Sequence, residues 1–155
     1  MADYLRQAVD LSRKSFEAGE FPAGAVLVTK SSAVYESDPS LPHYHGECMV
    51  IDKAIKAESY PLTDAVMYAS MESCLMCSAK MYWAGITKVH FVIPKNKTNT
   101  AYAYEDDRPM SDHLSKFNTP LESIQNDTLL DEAFELYEAW VKKIEAKYDT
   151  LKYPM

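Results

Sequence analysis

Two short motifs in this 155-residue chain contain residue types that bind metal ions. The first is His45-Gly46-Glu47, and the second is the pair Cys74 and Cys77, separated by two residues. Each motif lies at the start of a predicted helix in successive β–α units. We therefore expect both at the same edge of a sheet, where one imidazole and two thiolates supply three ligands of a tetrahedral Zn²⁺ and leave the fourth position for water.

A zinc site of this kind would equip the chain for hydrolytic deamination. Zinc lowers the pKa of a bound water from 15.7 to roughly 7, which gives hydroxide at neutral pH. Glu47 lies two residues from His45, so its carboxylate is expected over that water, where it takes the proton and delivers it to the substrate. The predicted reaction is attack of hydroxide on an amine-bearing carbon, followed by release of ammonia.

Cys48 leaves a second interpretation open. It follows His45 by three residues, and as a fourth ligand it would close the zinc site and make it structural rather than catalytic. The interpretation that we favour is a small buried residue on the apolar stripe that includes Ile51 and Ile55. A redox Cys-x-x-Cys pair is a further alternative, but it leaves His45 and Glu47 unexplained.

The elements that must position these motifs alternate between strand and helix. Strands are predicted over residues 23–29, 65–69 and 88–93, with 33–35 as a hairpin partner of the first. Helical periodicity marks residues 4–16, 47–58 and about 129–147, and a further helix follows the cysteine pair and ends at Gly85. Residues 101–125 show no clear element. This rhythm is typical of an α/β sheet, and without an evident linker we expect residues 1–155 to form a single domain.

Charge and composition limit the expected partners. Residues 1–100 carry 10 basic and 11 acidic side chains, whereas residues 101–155 carry 6 and 12, which gives net charges of −1 and −6. Binding to nucleic acid requires a basic footprint, so a polynucleotide partner is not expected. No apolar run approaches the roughly 18 residues of a membrane span, and the polar N-terminus does not resemble a signal peptide. A cytoplasmic protein is therefore expected.

Together the two motifs resemble the zinc-dependent cytidine and deoxycytidylate deaminase superfamily, whose members carry His-x-Glu followed by Cys-x-x-Cys. Residues 22–28 are similar to the first core strand of that family. Residues 71–79 and the helix around residues 137–140 are most similar to bacterial guanine deaminases. The His-Gly-Glu form of the first motif is similar to fungal cytosine deaminase.

The resemblance implies a three-layer α/β/α fold with a central mixed five-stranded sheet, zinc as the cofactor, and a homodimer. It implies His45, Cys74 and Cys77 as metal ligands and Glu47 as the proton carrier. It also implies a free nucleobase or nucleoside as substrate, with a guanine-type purine favoured. Cytosine or another amino-heterocycle, adenosine in tRNA, and a structural zinc domain without catalysis are the alternatives.

Four residues are predicted to contact the substrate: Asp38, Ser73, Asp107 and Tyr148. The family usually has an asparagine on the loop before His-x-Glu, and Asp38 or Ser37 is expected to replace it here. Asp107 and Tyr148 are the nearest matches to an acidic residue and a C-terminal tyrosine that help to recognise the base in guanine deaminases. Ser73 replaces the proline that normally precedes the first cysteine, and we expect it to cap the following helix.

Overall fold

The computed structural model describes residues 3–98 and 100–148, without the side chains of residues 147 and 148. Its elements are α1 (Tyr4–Glu17), β1 (Ala25–Val28), β2 (Val34–Glu36), α2 (Gly46–Glu58), β3 (Val66–Met71), α3 (Leu75–Ala84), β4 (Lys88–Ile93), α4 (Ser111–Leu114), β5 (Glu122–Gln125) and α5 (Leu130–Tyr148). Two short 3₁₀ turns, Lys95–Lys97 and Thr100–Tyr102, lie between β4 and α4. None of the helices in this part of the chain combines the length and the apolar character needed to cross a membrane.

The five strands form one mixed sheet in the order β2-β1-β3-β4-β5. β1 pairs antiparallel with β2 and with β3, where Leu27 is aligned with Tyr35 on one side and with Met67 on the other. β3, β4 and β5 run parallel to one another. The sheet confirms the mixed five-stranded α/β fold that the resemblance implies.

Helices cover both faces of the sheet. α1 and α5 pack together on one face, where Arg6 and Arg13 of α1 both contact the Glu132 carboxylate of α5, at 2.7 and 3.2 Å. α2 and α3 pack together on the other face, over a buried cluster that includes Ile51 and Met81. The architecture is therefore the expected three layers, with the site-bearing helices α2 and α3 in the same layer.

The entry to β1 differs from the prediction, because the strand begins at Ala25 rather than at residue 23. The Gly24 N–H donates to a side chain, the Ser70 hydroxyl at 2.9 Å, instead of to a neighbouring strand. α1 also lies so close that a Cβ at Gly24 would be only 2.3 Å from the Ala8 carbonyl oxygen. A residue without a side chain is thus required where α1 crosses the start of the strand.

α4 and β5 lie within residues 101–125, where the sequence shows no clear element. α4 is a single helical turn, and β5 is a four-residue edge strand in which no residue is buried. Elements this short and this exposed lack the apolar periodicity that marks the others. Leu114 and Leu121 are nevertheless buried in the core, so this segment closes the α2 and α3 side of the sheet.

Candidate metal centre and substrate cavity

The two motifs begin helices that lie next to each other. His45 is the N-cap residue of α2 and Cys74 is the N-cap residue of α3, each with an extended backbone. The Cys74 sulfur accepts a hydrogen bond from the Cys77 N–H at 3.5 Å. Cys74 rather than Ser73 therefore caps α3, which corrects the role predicted for the Ser73 hydroxyl.

Three potential ligand atoms converge between these helix ends. His45 Nδ1 lies 3.5 Å from Cys74 Sγ and 3.5 Å from Cys77 Sγ, and all three atoms lie within 4.8 Å of one another. A tetrahedral zinc with bonds of about 2.3 Å to sulfur and about 2.0 Å to nitrogen places those atoms about 3.5 Å apart. The group therefore fits zinc in both chemistry and spacing.

The His45 ring is oriented by its other nitrogen. Nε2 donates to the Pro42 carbonyl oxygen at 3.1 Å, which directs the Nδ1 lone pair towards the cysteines, as outer partners of metal-binding histidines do. Burial disfavours a charged imidazole, but the hydrogen bond with Cys74 and the charge of Glu47 outweigh it and raise the pKa of His45 to about 9. Hydrogen bonds with Cys77 and His45 lower the pKa of Cys74. A cation that binds here replaces the His45 proton as the partner of the thiolates.

Cys48 is buried next to the three potential ligand atoms, but its sulfur is not part of that group. Its sulfur lies 3.8 Å from Cys77 Sγ, whereas the group of potential ligands in the described chain consists of His45, Cys74 and Cys77. Only 3% of Cys48 is exposed. This placement agrees with the buried, non-ligand interpretation of Cys48 and leaves a three-ligand group.

The close packing around Gly46 explains why the first motif has glycine between His45 and Glu47. A Cβ at this position would lie 3.0 Å from both Cβ and Oγ of Ser37, a tighter approach than side chains normally make. The Ser37 hydroxyl is itself occupied, because it accepts from the Ala25 N–H at 2.9 Å. An alanine here would push Ser37 away from the β1 backbone.

Glu47 is a buried carboxyl group next to the metal-binding atoms. It is 6% exposed, and its Oε1 accepts a hydrogen bond from the Ser73 hydroxyl at 3.1 Å. Burial raises the pKa of Glu47 above its usual value, although the His45 charge and the Ser73 bond act in the opposite direction. A buried carboxyl group with a raised pKa gives up and takes up a proton more readily than an exposed carboxylate does.

A cavity of about 70 Å³ opens beside Glu47 and His45. Its walls come from the segment after α1, the loop before α2, the end of β3, and the segment after β4. The lining residues are Phe21, Ala23, Ser40, His45, Glu47, Met71, Glu72, Cys74, Ile93, Lys95, Thr98, Ala103, Tyr104, Glu105 and Asp106.

One wall of the cavity is built on a buried carboxylate. Glu72 accepts the backbone N–H of Lys95 at 2.8 Å and of Met110 at 2.6 Å, and so fixes the segment after β4. Lys95 Nζ in turn contacts Glu105 Oε1 at 2.5 Å, with only 10% of the lysine side chain exposed. Glu105 also accepts the N–H of Leu75 at the start of α3. These contacts connect the start of α3, next to Cys74, to the cavity wall that the segment after β4 forms.

A sequence model of the cytidine and deoxycytidylate deaminase zinc-binding region matches residues 1–93, which contain both motifs. The chain belongs to this deaminase family. A guanine deaminase from Bacillus subtilis (strain 168) is 33% identical over 111 residues, which are 67% of this chain and 70% of that protein. A tRNA-specific adenosine deaminase from the same strain is 32% identical over 94 residues, which are 57% of this chain and 58% of that protein.

The fold of this deaminase family member also agrees with that of solved structures. The guanine deaminase from Nitrosomonas europaea superimposes with a TM-score of 0.67, over 88% of this chain and 82% of that chain. Sequence identity is only 17%, so this comparison establishes the shared fold and nothing finer. The zinc of the family and the His-Cys-Cys group of this member fit each other.

The structure does not bring together the four substrate contacts predicted for this deaminase family member. Ser73 hydrogen-bonds Glu47, while Asp38 forms a surface ion pair with Lys53 at 3.0 Å. Asp107 is exposed, and neither it nor Asp38 belongs to the described residues that line the cavity. The side chain of Tyr148 lies outside the described residues.

Seven polar residues of the cavity were not predicted from the sequence: Ser40, Glu72, Lys95, Thr98, Tyr104, Glu105 and Asp106. Glu72 and Lys95 each follow the carboxyl end of a predicted parallel strand, the sheet edge where ligands of α/β proteins bind, and this position was a usable signal. Ser40 gave no such signal, because its place depends on how the loop before α2 packs against α1.

Proposed function

We propose that this chain is a zinc-dependent hydrolytic deaminase of a free nucleobase or nucleoside, with a guanine-type purine as the favoured substrate. The observation that carries the proposal is the buried Glu47 carboxyl group, which lines a cavity together with the potential metal ligands His45 and Cys74. A structural zinc domain needs neither a cavity nor a buried acid beside the metal. The arrangement is suited to moving protons at a small bound molecule.

In the proposed reaction His45, Cys74 and Cys77 would hold zinc, which when bound would lower the pKa of a water at the site to about 7. Glu47 accepts the proton of the attacking water. Because Ser73 donates to Oε1, we assign this proton to Oε2, from which Glu47 delivers it to a ring nitrogen. Glu47 then carries the proton of the newly formed hydroxyl group to the departing amine. A carbon–oxygen bond forms, a carbon–nitrogen bond breaks, and one water is consumed for each ammonia released.

Small neutral heterocycles suit the charge distribution better than a polynucleotide does. The net charge of −6 over residues 101–155 lies in the segment that contributes the cavity wall after β4 and the C-terminal helix. Acidic side chains there repel phosphates, and nothing in this segment supplies a basic footprint. The similarity to a guanine deaminase over 111 residues supports a purine base as the first candidate substrate. Cytosine and other amino-heterocycles rank after it.

The test measures ammonia release by the zinc-loaded protein from guanine, cytosine, adenine and their nucleosides, and from pterins and aminotriazines. We expect turnover of guanine to exceed that of the other compounds. Turnover of another heterocycle but not of guanine would support a deaminase and contradict the guanine-type substrate. Absence of ammonia from all of them, with zinc bound, would contradict the proposal.

Deamination of adenosine in tRNA is the second candidate, because a tRNA-specific adenosine deaminase is similar at nearly the same identity. It is distinguished by a gel shift with tRNA at 50 and 200 mM salt. Tight binding that weakens steeply over this range would favour tRNA over a free base.

We further propose that the chain forms a homodimer through α3. Leu75, Met76 and Trp83 lie along one side of this helix and are exposed, Trp83 by 73%. Several exposed large apolar side chains on one helix are typical of an interaction surface. Sedimentation at micromolar concentration is expected to give a dimer, and Trp83→Glu is expected to shift it towards monomer. A parent chain that remains monomeric at this concentration would contradict the proposal.

A further inference from the structure

One buried carboxylate holds both ends of the segment that forms the cavity wall after β4. Glu72 is 8% exposed, and its two oxygens accept different backbone N–H groups: Oε2 that of Lys95 at 2.8 Å, and Oε1 that of Met110 at 2.6 Å. Hydrogen bonds to a carboxylate are stronger than those between neutral groups. The two ends of the segment are therefore fixed at a single side chain.

The middle of this segment lines the cavity without being anchored in the core. None of residues 100–109 is buried, and residues 103–106 all line the cavity. Tyr104 and Glu105 contact the start of α3, in both cases by accepting a backbone N–H. Because no buried apolar side chain holds the middle of the segment, its position depends on where its ends are fixed.

Glu72 is also adjacent to residues that hold the other parts of the site. Its N–H donates to the Ile93 carbonyl oxygen at 2.8 Å, which fixes the end of β3 against β4. The next residue, Ser73, donates to the Glu47 carboxylate, and Cys74 follows as a potential metal ligand. Three consecutive residues thus hold the cavity wall, the acid and the metal group in a fixed relation.

We propose that Glu72 is a positioning residue, which fixes the distance from Glu47 and the metal group to the cavity wall after β4 and so contributes to which base is accepted. This inference rests on the proposed function. Both Glu72 oxygens are bound to backbone N–H groups, so the residue acts through the segment that it holds. Supporting contacts of this kind keep a reactive geometry within fractions of an ångström.

The test compares Glu72→Gln with Glu58→Gln. The amide at position 72 has one accepting oxygen and turns an NH₂ group towards the second backbone N–H, so one end of the segment is released while the side chain keeps its size. Glu58 is a matched control, because its carboxylate also accepts several hydrogen bonds, from Thr29, Ser31 and Tyr35, but does not line the cavity.

Glu72→Gln is expected to lower kcat/KM for guanine by roughly 10- to 100-fold, the cost of a misplaced substrate, with one zinc still bound per chain. The preference for guanine over cytosine is expected to narrow, and hydrogen exchange in peptides within residues 100–109 to become faster. Glu58→Gln is expected to match the parent in all of these. Glu72→Asp keeps both accepting oxygens on a side chain one methylene shorter, so we expect the same changes to a smaller extent; it replaces the amide variant if that variant does not fold.

A purely structural role would lower stability without changing the preference between bases. Turnover and exchange are therefore measured at a temperature at which every variant is folded, and guanine and cytosine binding are measured separately by calorimetry. Parent-like binding, turnover and exchange in both Glu72 variants overturn the inference, and so does an equal loss of affinity for the two bases that follows a lower unfolding temperature.

The same measurements separate this inference from the proposed function. A parent that binds guanine without releasing ammonia contradicts the proposed function, whereas the binding and exchange comparison still tests the role of Glu72. A parent that binds neither base overturns both.

Discussion

Glu47→Gln is expected to abolish measurable ammonia release while leaving one zinc bound per chain. The amide keeps an oxygen that accepts from the Ser73 hydroxyl, so the local packing is preserved, but it no longer exchanges a proton. Loss of a general acid and base costs about 10²- to 10⁴-fold in rate. Steady-state ammonia release and zinc content by atomic absorption measure the two effects.

A matched control is Glu17→Gln on the exposed side of α1, which removes one exposed carboxylate that does not line the cavity. It should retain full activity. A Glu47→Gln protein with turnover equal to that of the parent would show that the proton passes through another group. Loss of zinc in Glu47→Gln would instead indicate that the Glu47 carboxylate is a metal ligand.

Cys77→Ser is expected to lose zinc, whereas Cys48→Ser is expected to keep it. The two sulfurs lie only 3.8 Å apart, but Cys77 Sγ belongs to the converging group with His45 and Cys74, and Cys48 Sγ does not. Loss of an outer-shell partner already weakens metal binding 10- to 100-fold, so loss of a direct thiolate ligand should weaken it by at least about 100-fold. Competition with a zinc chelator measures the difference.

These two serine variants are close controls for each other, because both replace a buried sulfur at the same place in the core. Equal zinc affinity of Cys48→Ser and the parent supports a three-ligand site with an open position. A large loss of zinc in Cys48→Ser would indicate a closed, structural Cys₃His centre. Retention of zinc by Cys77→Ser would reject the assigned ligand set.

The sequence predicts most of the fold because its apolar patterns are strong where elements are buried. The C-terminal helix, expected over about 129–147, spans Leu130–Tyr148, and β4 has the predicted bounds. β5 was not predicted, since a four-residue edge strand with no buried residue carries no pattern. The number of strands came from the family resemblance rather than from periodicity.

The metal group was predictable and the substrate cavity was not, for a physical reason. His45 and Cys74 cap helices in successive β–α units, so the order of the elements already predicts that the two residues lie close together. The cavity wall depends on long-range packing. Asp38 was expected at the substrate, but Lys53 of α2 lies within ion-pair distance and holds it at the surface. Ser40, two residues later, lines the cavity instead.

The packing of the loop before α2 against α1, in which the Ser40 N–H donates to Ser15 Oγ at 2.9 Å, has a consequence for how this protein can change over evolutionary time. The loop that borders the cavity is fastened to α1, which contributes neither a metal ligand nor the acid Glu47 and which is held in turn by Glu132 of α5. Substitutions along α1 can therefore move the loop and alter the preferred base without disturbing the zinc. New substrates are accessible to such a scaffold through a helix that carries none of the metal-binding or proton-transfer residues, while the reaction itself is preserved.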